Sequence, residues 1–258
     1  MMKHITYDVD QRIGYITLNR PEKRNALNQA LVTELKACFV QAGQDPGVKV
    51  VVLRAQGEAF CAGADLAYLQ DLQQYAYEQN LEDSNHLRDL FLTIYTLPKV
   101  VIAQVQGHAL AGGCGLATVC DFALAVPEAK FGYTEVKIGF VPALVMIFLI
   151  RKIGESRARH LLLSGNLVSA ADALSMGLVT RVVSPETLET EVNALAEKLA
   201  SGNSASSMAL TKQMIAEVQS MKLDEALTYA SRMNAQARAT EDCKRGIAAF
   251  LAKEKIMW

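Results

Sequence analysis

The chain is short of several things, and each shortage removes a class of function. Its four histidines, His4, His86, His108 and His160, are too scattered to give the spacing of a metal site. Its five cysteines are an odd number and none forms a CxxC pair, so neither a disulfide framework nor a zinc ribbon is expected. A formal net charge of −1 offers no basic footprint for nucleic acid and no polybasic membrane anchor. The longest strongly apolar run, residues 141–150, is too short to span a bilayer and is interrupted by Pro142. The opening MMKHITYDVD lacks the apolar core of a secretory signal. Together these shortages point to a cytoplasmic protein with reduced thiols, no metal, no nucleic-acid partner and no membrane partner.

What is present is a globular composition, 51% hydrophobic and 21% charged, over 258 residues. That length suits one large domain, or a main domain with an appendage. Residues 5–9 and 13–18 read as two strands around an Asp10-Gln11 turn. Leu31, Leu35, Cys38 and Phe39 make a helical stripe, capped by Asn25 or Asn28. A turn at Asp45-Pro46-Gly47 leads into the strand 50–54, and the alternation of strand and helix predicts an α/β fold. Residues 67–85 are rich in Gln, Tyr and acids with weak periodicity, and read as a mobile or partly helical segment. Helix is expected over 87–97, 155–163 and 169–176, the last with Ser169 as cap and Gly177 as stop. A short strand at 179–183, a helix over 185–200 and a boundary at 201–204 follow. Three helical patterns, 206–218, 223–239 and 241–253, complete the chain.

Two stretches share a chemical logic. Residues 104–121, QVQGHALAGGCGLATVCD, follow a β-branched run and read as strand, glycine-rich turn and helix start. Residues 60–66, FCAGADL, follow the strand 50–54 in the same way. Glycines let backbone N–H groups approach a ligand, and a helix start adds its positive dipole end. Two such donors facing one point make an oxyanion hole, which stabilises negative charge developing on a carbonyl oxygen.

FCAGADL, then GHALAGGCGLATVCD, then FGYTEVKIGFVP resembles the crotonase family, the enoyl-CoA hydratase/isomerase superfamily. The resemblance runs from ITLNRPEKRNALN to FLAKEK, nearly the whole chain. It implies a crotonase-like spiral of ββα units over residues 1–200, holding the coenzyme A and catalytic sites. Residues 201–258 become a helical C-terminal trimerisation region, within a homotrimer or homohexamer.

The resemblance also implies roles for residues. The oxyanion-hole amides fall on Ala62, before the glycine of the first motif, and on Gly112 in the second. Of two family carboxylates, one is present as Glu135, the proton carrier, and the other is replaced by Gly115. Asp65, His108 and Glu82 are conceivable substitutes for it. Lys23 or Arg24 would meet the phosphates of coenzyme A, Ala26 the adenine side, and the backbone of Ala64, Asp65 and Leu66 the same path. Phe250 and Lys253 would complete that site from a neighbouring subunit. Tyr133 is expected to line the acyl pocket, and residues 140–150 to form a bulkier, more apolar wall than the glycine-rich family sequence. Cys61 and Cys114 read as small apolar packing.

The implied reaction is enoyl-CoA hydration on an unsaturated acyl-CoA, through an enolate held by the oxyanion hole. No cofactor is implied beyond the coenzyme A of the substrate. The alternative is a single-glutamate shift of a 3-enoyl to a 2-enoyl-CoA, which one proton carrier suffices to perform. A second alternative is a non-catalytic CoA-binding or assembly protein.

Overall fold

The computed structural model describes residues 2–258. It begins with a hairpin in which β1 (Ile5–Asp10) pairs antiparallel with β2 (Ile13–Leu18). The turn falls on Gln11 and Arg12, at φ 44° and 69°, one residue later than expected. Two consecutive left-handed residues supply the twist that matches paired strands. In α1 (Gln29–Gln44) the cap is Asn28, whose Oδ1 accepts from the Leu31 amide at 2.9 Å. Asn25 is instead fully buried, and its side-chain amide donates to the Gln56 and Ala59 carbonyls.

The next strands are β3 (Val50–Ala55) and β4 (Val100–Val105), near-continuous apolar runs because both of their faces are covered. Between them lie α2 (Leu66–Leu72) and α3 (Tyr77–Thr96), so the weakly periodic stretch is two helices. The buried residues of α3 are Leu90, Phe91 and Ile94, all in its second half. Its first half has no apolar stripe to read.

The middle of the chain holds β5 (Ala109–Leu110), α4 (Gly112–Val119), β6 (Phe122–Ala125) and β7 (Lys130–Gly132). Helix α4 starts at the glycines themselves, four residues before the apolar segment suggested, because packing overrides their poor helix propensity. Then come α5 (Ala143–Ile153), α6 (Glu155–Ser164), β8 (Val168–Ser169), α7 (Ala170–Met176) and β9 (Arg181–Val182). Four helices close the chain: α8 (Leu188–Gly202), α9 (Ala205–Val218), α10 (Leu223–Ala239) and α11 (Glu241–Ala252).

A six-stranded sheet has the order β1-β2-β3-β4-β6-β9, and a three-stranded sheet the order β5-β7-β8. From β2 onward the large sheet is parallel. The strands that directly follow β4 and β6 cross into the small sheet, and a helix follows each pair, so the chain winds as a spiral of ββα steps. Isolated parallel bridges, Leu27 to Ala64 and Cys61 to Ala109, carry the second layer to the loop after β3. They set that loop beside the start of α4.

Helix α9 is fastened to the core by a buried lysine. Lys212 Nζ donates to Asp121 Oδ2 at 2.7 Å, to the Ile94 carbonyl at 3.1 Å and to the Lys99 carbonyl at 3.0 Å. An ammonium with three acceptors is satisfied, which offsets its desolvation. Asp121 also accepts from the Val101 amide at 2.7 Å, so it ties α9 to β4. At the chain's end, the Trp258 amide donates to the Ser201 carbonyl at 3.0 Å, and its main-chain oxygen accepts from Arg12 at 2.8 Å. Among the described residues, no helix is long and apolar enough to cross a membrane.

Candidate active site

The two glycine-bearing loops are laced together. The Cys61 amide donates to the His108 carbonyl at 3.2 Å, and the Leu110 amide to the Cys61 carbonyl at 3.0 Å. They approach so closely that side chains are excluded. A Cβ on Gly113 would lie 2.2 Å from the Cys61 carbonyl oxygen. Gly63 has φ +92°, and a Cβ there would lie 2.8 Å from that of Ala111. Ala111 itself takes φ 49°, ψ −124°, a strained conformation for a residue with a side chain. Its amide is held by the Gly132 carbonyl at 2.8 Å. The strain sits immediately before Gly112, at the first turn of α4.

The structure corrects one of the two expected oxyanion donors. The Ala62 N–H is committed to the Arg24 carbonyl at 3.0 Å, so it cannot serve a ligand. The neighbours of Ala64 are engaged instead: the Leu27 amide donates to the Gly63 carbonyl at 2.7 Å, and the Asp65 amide to the Leu27 carbonyl at 2.8 Å. This parallel bridge leaves the Ala64 N–H out of the ladder. Among the described residues, neither the Ala64 nor the Gly112 amide has an acceptor. Both residues line one cavity of about 400 Å³.

Glu135 lines the same cavity. It opens a 3₁₀ turn, Glu135–Ile138, which follows β7 and ends at Gly139 in the left-handed region. Its Oε2 is buried without a hydrogen-bond partner. Burial pushes its carboxyl above the usual carboxylate range. An unpaired carboxyl oxygen in a cavity is costly for stability and suited to proton transfer.

No side chain fits at position 115. A Cβ on Gly115 would lie 2.4 Å from Val145 Cγ1 and 3.2 Å from Phe91 Cζ. The space of a second acid is therefore filled by apolar groups. Ala143, Leu144 and Val145 do form a cavity wall, as the sequence suggested, joined by Ile138, Phe140 and Val141.

None of the three substitute acids enters the cavity. Asp65 caps α2 through the Ala67 amide at 3.0 Å and pairs with Arg20 at 2.7 Å. Burial pushes its carboxyl up, but the Arg20 and Ala67 hydrogen bonds outweigh this and hold it low. His108 is exposed, and its Nδ1 accepts from the Lys130 amide at 3.3 Å. Glu82 is exposed on α3, whereas the next residue, Asp83, does reach the cavity. With it come Tyr68 of α2 and His86 of α3. Sequence reading missed these three; for Tyr68 and Asp83 the polar, tyrosine-bearing character of residues 67–85 was the available signal. Tyr133, expected to line the acyl pocket, does not line this cavity. It is fully buried behind α4, its hydroxyl 2.8 Å from Thr118 Oγ1. Burial pushes the Cys61 thiol up to about 12 and the Cys114 thiol up to about 11, in keeping with packing roles.

The residues expected at coenzyme A fall outside the cavity, except Ala64 and Leu66. Lys23 ends the 3₁₀ turn Pro21–Lys23, and Arg24 follows at φ 49°; both are exposed. Ala26 is buried beside them. Phe250 is 81% exposed on α11, and Lys253 caps that helix at φ 57°.

With this geometry in hand, comparison with known proteins is informative. The model of the enoyl-CoA hydratase/isomerase family matches residues 8–258. A Thermus thermophilus protein with the provisional name enoyl-CoA hydratase is 44% identical over 241 residues, covering 93% of this chain and 95% of the relative. The crotonyl-CoA hydratase of Syntrophomonas wolfei is 34% identical over 255 residues, covering 98% and 96%. The crystal structure of an enoyl-CoA hydratase from Mycobacterium smegmatis has a TM-score of 0.93 at 33% identity, covering 99% of each chain. The chain belongs to the enoyl-CoA hydratase/isomerase family.

Proposed function

We propose that the protein is an enoyl-CoA hydratase that adds water to a 2-enoyl-CoA through an enolate. The observation that carries this reading is the buried, unpartnered Glu135 oxygen in the cavity lined by the two unengaged amides. The thioester carbonyl oxygen takes its two hydrogen bonds from Ala64 and Gly112. As the oxygen of water bonds to C3 and its O–H bond breaks, one proton passing to a base in the cavity, the double-bond electrons move onto that carbonyl oxygen. Preorganised donors are strongest there, each worth about 10²–10³-fold in rate. Glu135 then gives a proton to C2, which restores the thioester. Coenzyme A enters as part of the substrate, and the chemistry uses no further cofactor.

The second reading is isomerisation of a 3-enoyl-CoA, favoured by the apolar filling at Gly115. Here Glu135 removes a proton from C2 and returns it at C4. An absorbance assay on paired substrates separates the two, because only the 2-enoyl thioester is conjugated. Absorbance falling with the 2-enoyl-CoA is the expected result. A rise with the 3-enoyl-CoA alone would replace hydration by isomerisation. Silence in both cuvettes would point to an unusual acyl substrate or to a non-catalytic CoA-binding protein.

Coenzyme A is placed with its phosphates toward Lys23 or Arg24 and its adenine toward Ala26, the backbone of Ala64, Asp65 and Leu66 lining its path. Residues 201–258 are proposed as the oligomerisation region, with Phe250 and Lys253 reaching a neighbouring subunit's site. Leu223, Leu227, Ile247, Phe250 and Leu251 are exposed apolar side chains on α10 and α11, which supports a second copy as their cover. Light scattering is expected to give three or six chains; a single chain in solution would refute the assembly. A cytoplasmic location is part of the same reading, supported by Cys38, Cys61, Cys114 and Cys120, which are buried free thiols.

A further inference from the structure

The cavity that holds Glu135 contains a second polar cluster, contributed by α2 and α3. The Tyr68 hydroxyl donates to Asp83 Oδ1, and both half-buried side chains line the cavity. Their surroundings there are apolar, with Leu66, Leu69, Leu72 and Leu87 on the same helices. A hydrogen bond that merely joined two helices would have no need of a place in the substrate cavity.

Hydration makes a demand that Glu135 alone does not meet. One group must hold the water and accept its proton while another delivers a proton to C2. Position 115 supplies nothing, since Val145 fills its space. The titratable residues lining the cavity are Tyr68, Asp83, His86 and Glu135. His86 is already engaged at both nitrogens: Lys36 Nζ lies 2.9 Å from Nδ1, and Thr33 Oγ1 lies 2.9 Å from Nε2. An ammonium can only donate, so Nδ1 is the acceptor and Nε2 carries the hydrogen. That leaves the imidazole no lone pair for a further proton. Tyr68 differs, because its one hydrogen goes to Asp83 and its oxygen remains free to accept.

We infer that Tyr68 and Asp83 hold the attacking water and take its proton, in place of the acid absent at position 115. The water oxygen forms its bond to C3, and the double-bond electrons move to the thioester oxygen. The proton leaving the water passes to the Tyr68 oxygen as the Tyr68 proton passes to the Asp83 carboxylate. Glu135, entering as the carboxylic acid, delivers its proton to C2. One water is added, Asp83 ends protonated and Glu135 ionised, and exchange with solvent resets both.

This inference rests on the hydratase reading, and its test separates the two. Tyr68→Phe and Asp83→Asn are compared with wild type in two assays. One is hydration of a 2-enoyl-CoA. The other is deuterium exchange at C2 of the saturated acyl-CoA in D2O, which needs only Glu135 and the two amides. Both variants are expected to lose hydration by about 10²-fold or more while exchange stays near the wild-type rate. Variants that hydrate normally would overturn the inference alone. Equal loss in both assays would make the pair a structural support and overturn it too. A wild-type protein that exchanges but does not hydrate would overturn the hydratase reading beneath it.

Discussion

Replacing Glu135 by Gln is expected to lower turnover by about 10³-fold, within the range for a positioned general acid or base. The substitution keeps shape and hydrogen-bonding capacity but cannot give or take a proton. Binding, measured by titration with a non-reacting acyl-CoA, is expected to persist, because the thioester oxygen is held by backbone amides. Stability is expected to move the other way. The Glu135 carboxyl is pushed above its usual range by burial, so the folded state favours its protonated form. Its contribution to stability is full below the unfolded-state value and is lost as pH rises through the folded-state value. At neutral pH wild type therefore carries a penalty that Gln does not, and the melting temperature of the variant should match or exceed it. In mild acid that advantage should vanish. Turnover unchanged in the variant would sink the assignment. The same shift gives opposite pH limbs to the two reactions. Hydration uses the acid form and falls as pH rises past the raised value; isomerisation uses the carboxylate and falls as pH drops below it.

The strands, the glycine-rich turns and the position of Glu135 were legible in the sequence, and what was not has physical causes. Runs such as VVVLR and VVIAQV, β-branched and bounded by turns, read as buried strands, and the glycines after them mark close approach. Ser169 and Gly177 bound α7 as read, because a cap and a left-handed stop are local chemistry. The step from Ala62 to Ala64 was not legible. Both are alanines in one short motif, and what separates them is the Arg24 carbonyl, which accepts from the Ala62 N–H across from another turn. Tyr133 failed for a similar reason, since proximity in sequence to Glu135 does not say which side of α4 a ring packs against. The Tyr68 and Asp83 pair depends on how α2 meets α3, which the sequence of neither helix specifies. The pair inferred to hold the water thus lies in the part of the chain with the weakest pattern.

The largest stability effect is expected from restoring the family acid by Gly115→Glu alone. The first atom of the new side chain would lie 2.4 Å from Val145 Cγ1, and α4 is buried there. Overpacking of this kind costs about 1–3 kcal/mol before the carboxyl is considered. The side chain would start against Val145 and Phe91, which are 4% and 0% exposed, so it enters an apolar site unsuited to a charge. At roughly 2–4 °C per kcal/mol for a chain of this size, the melting temperature should fall by about 6 °C or more. Adding Val145→Gly removes the obstructing side chain and opens a path from position 115 into the cavity that Val145 lines. The double variant should recover part of the loss and raise hydration relative to isomerisation, since a second acid now reaches the substrate. Gly115→Ala isolates the steric cost, because its methyl group meets Val145 without bringing a charge. A Gly115→Glu protein as stable as wild type would mean that α5 yields to the new side chain. In that case the missing acid reflects no packing constraint, and the apolar wall must be explained by the acyl group it receives.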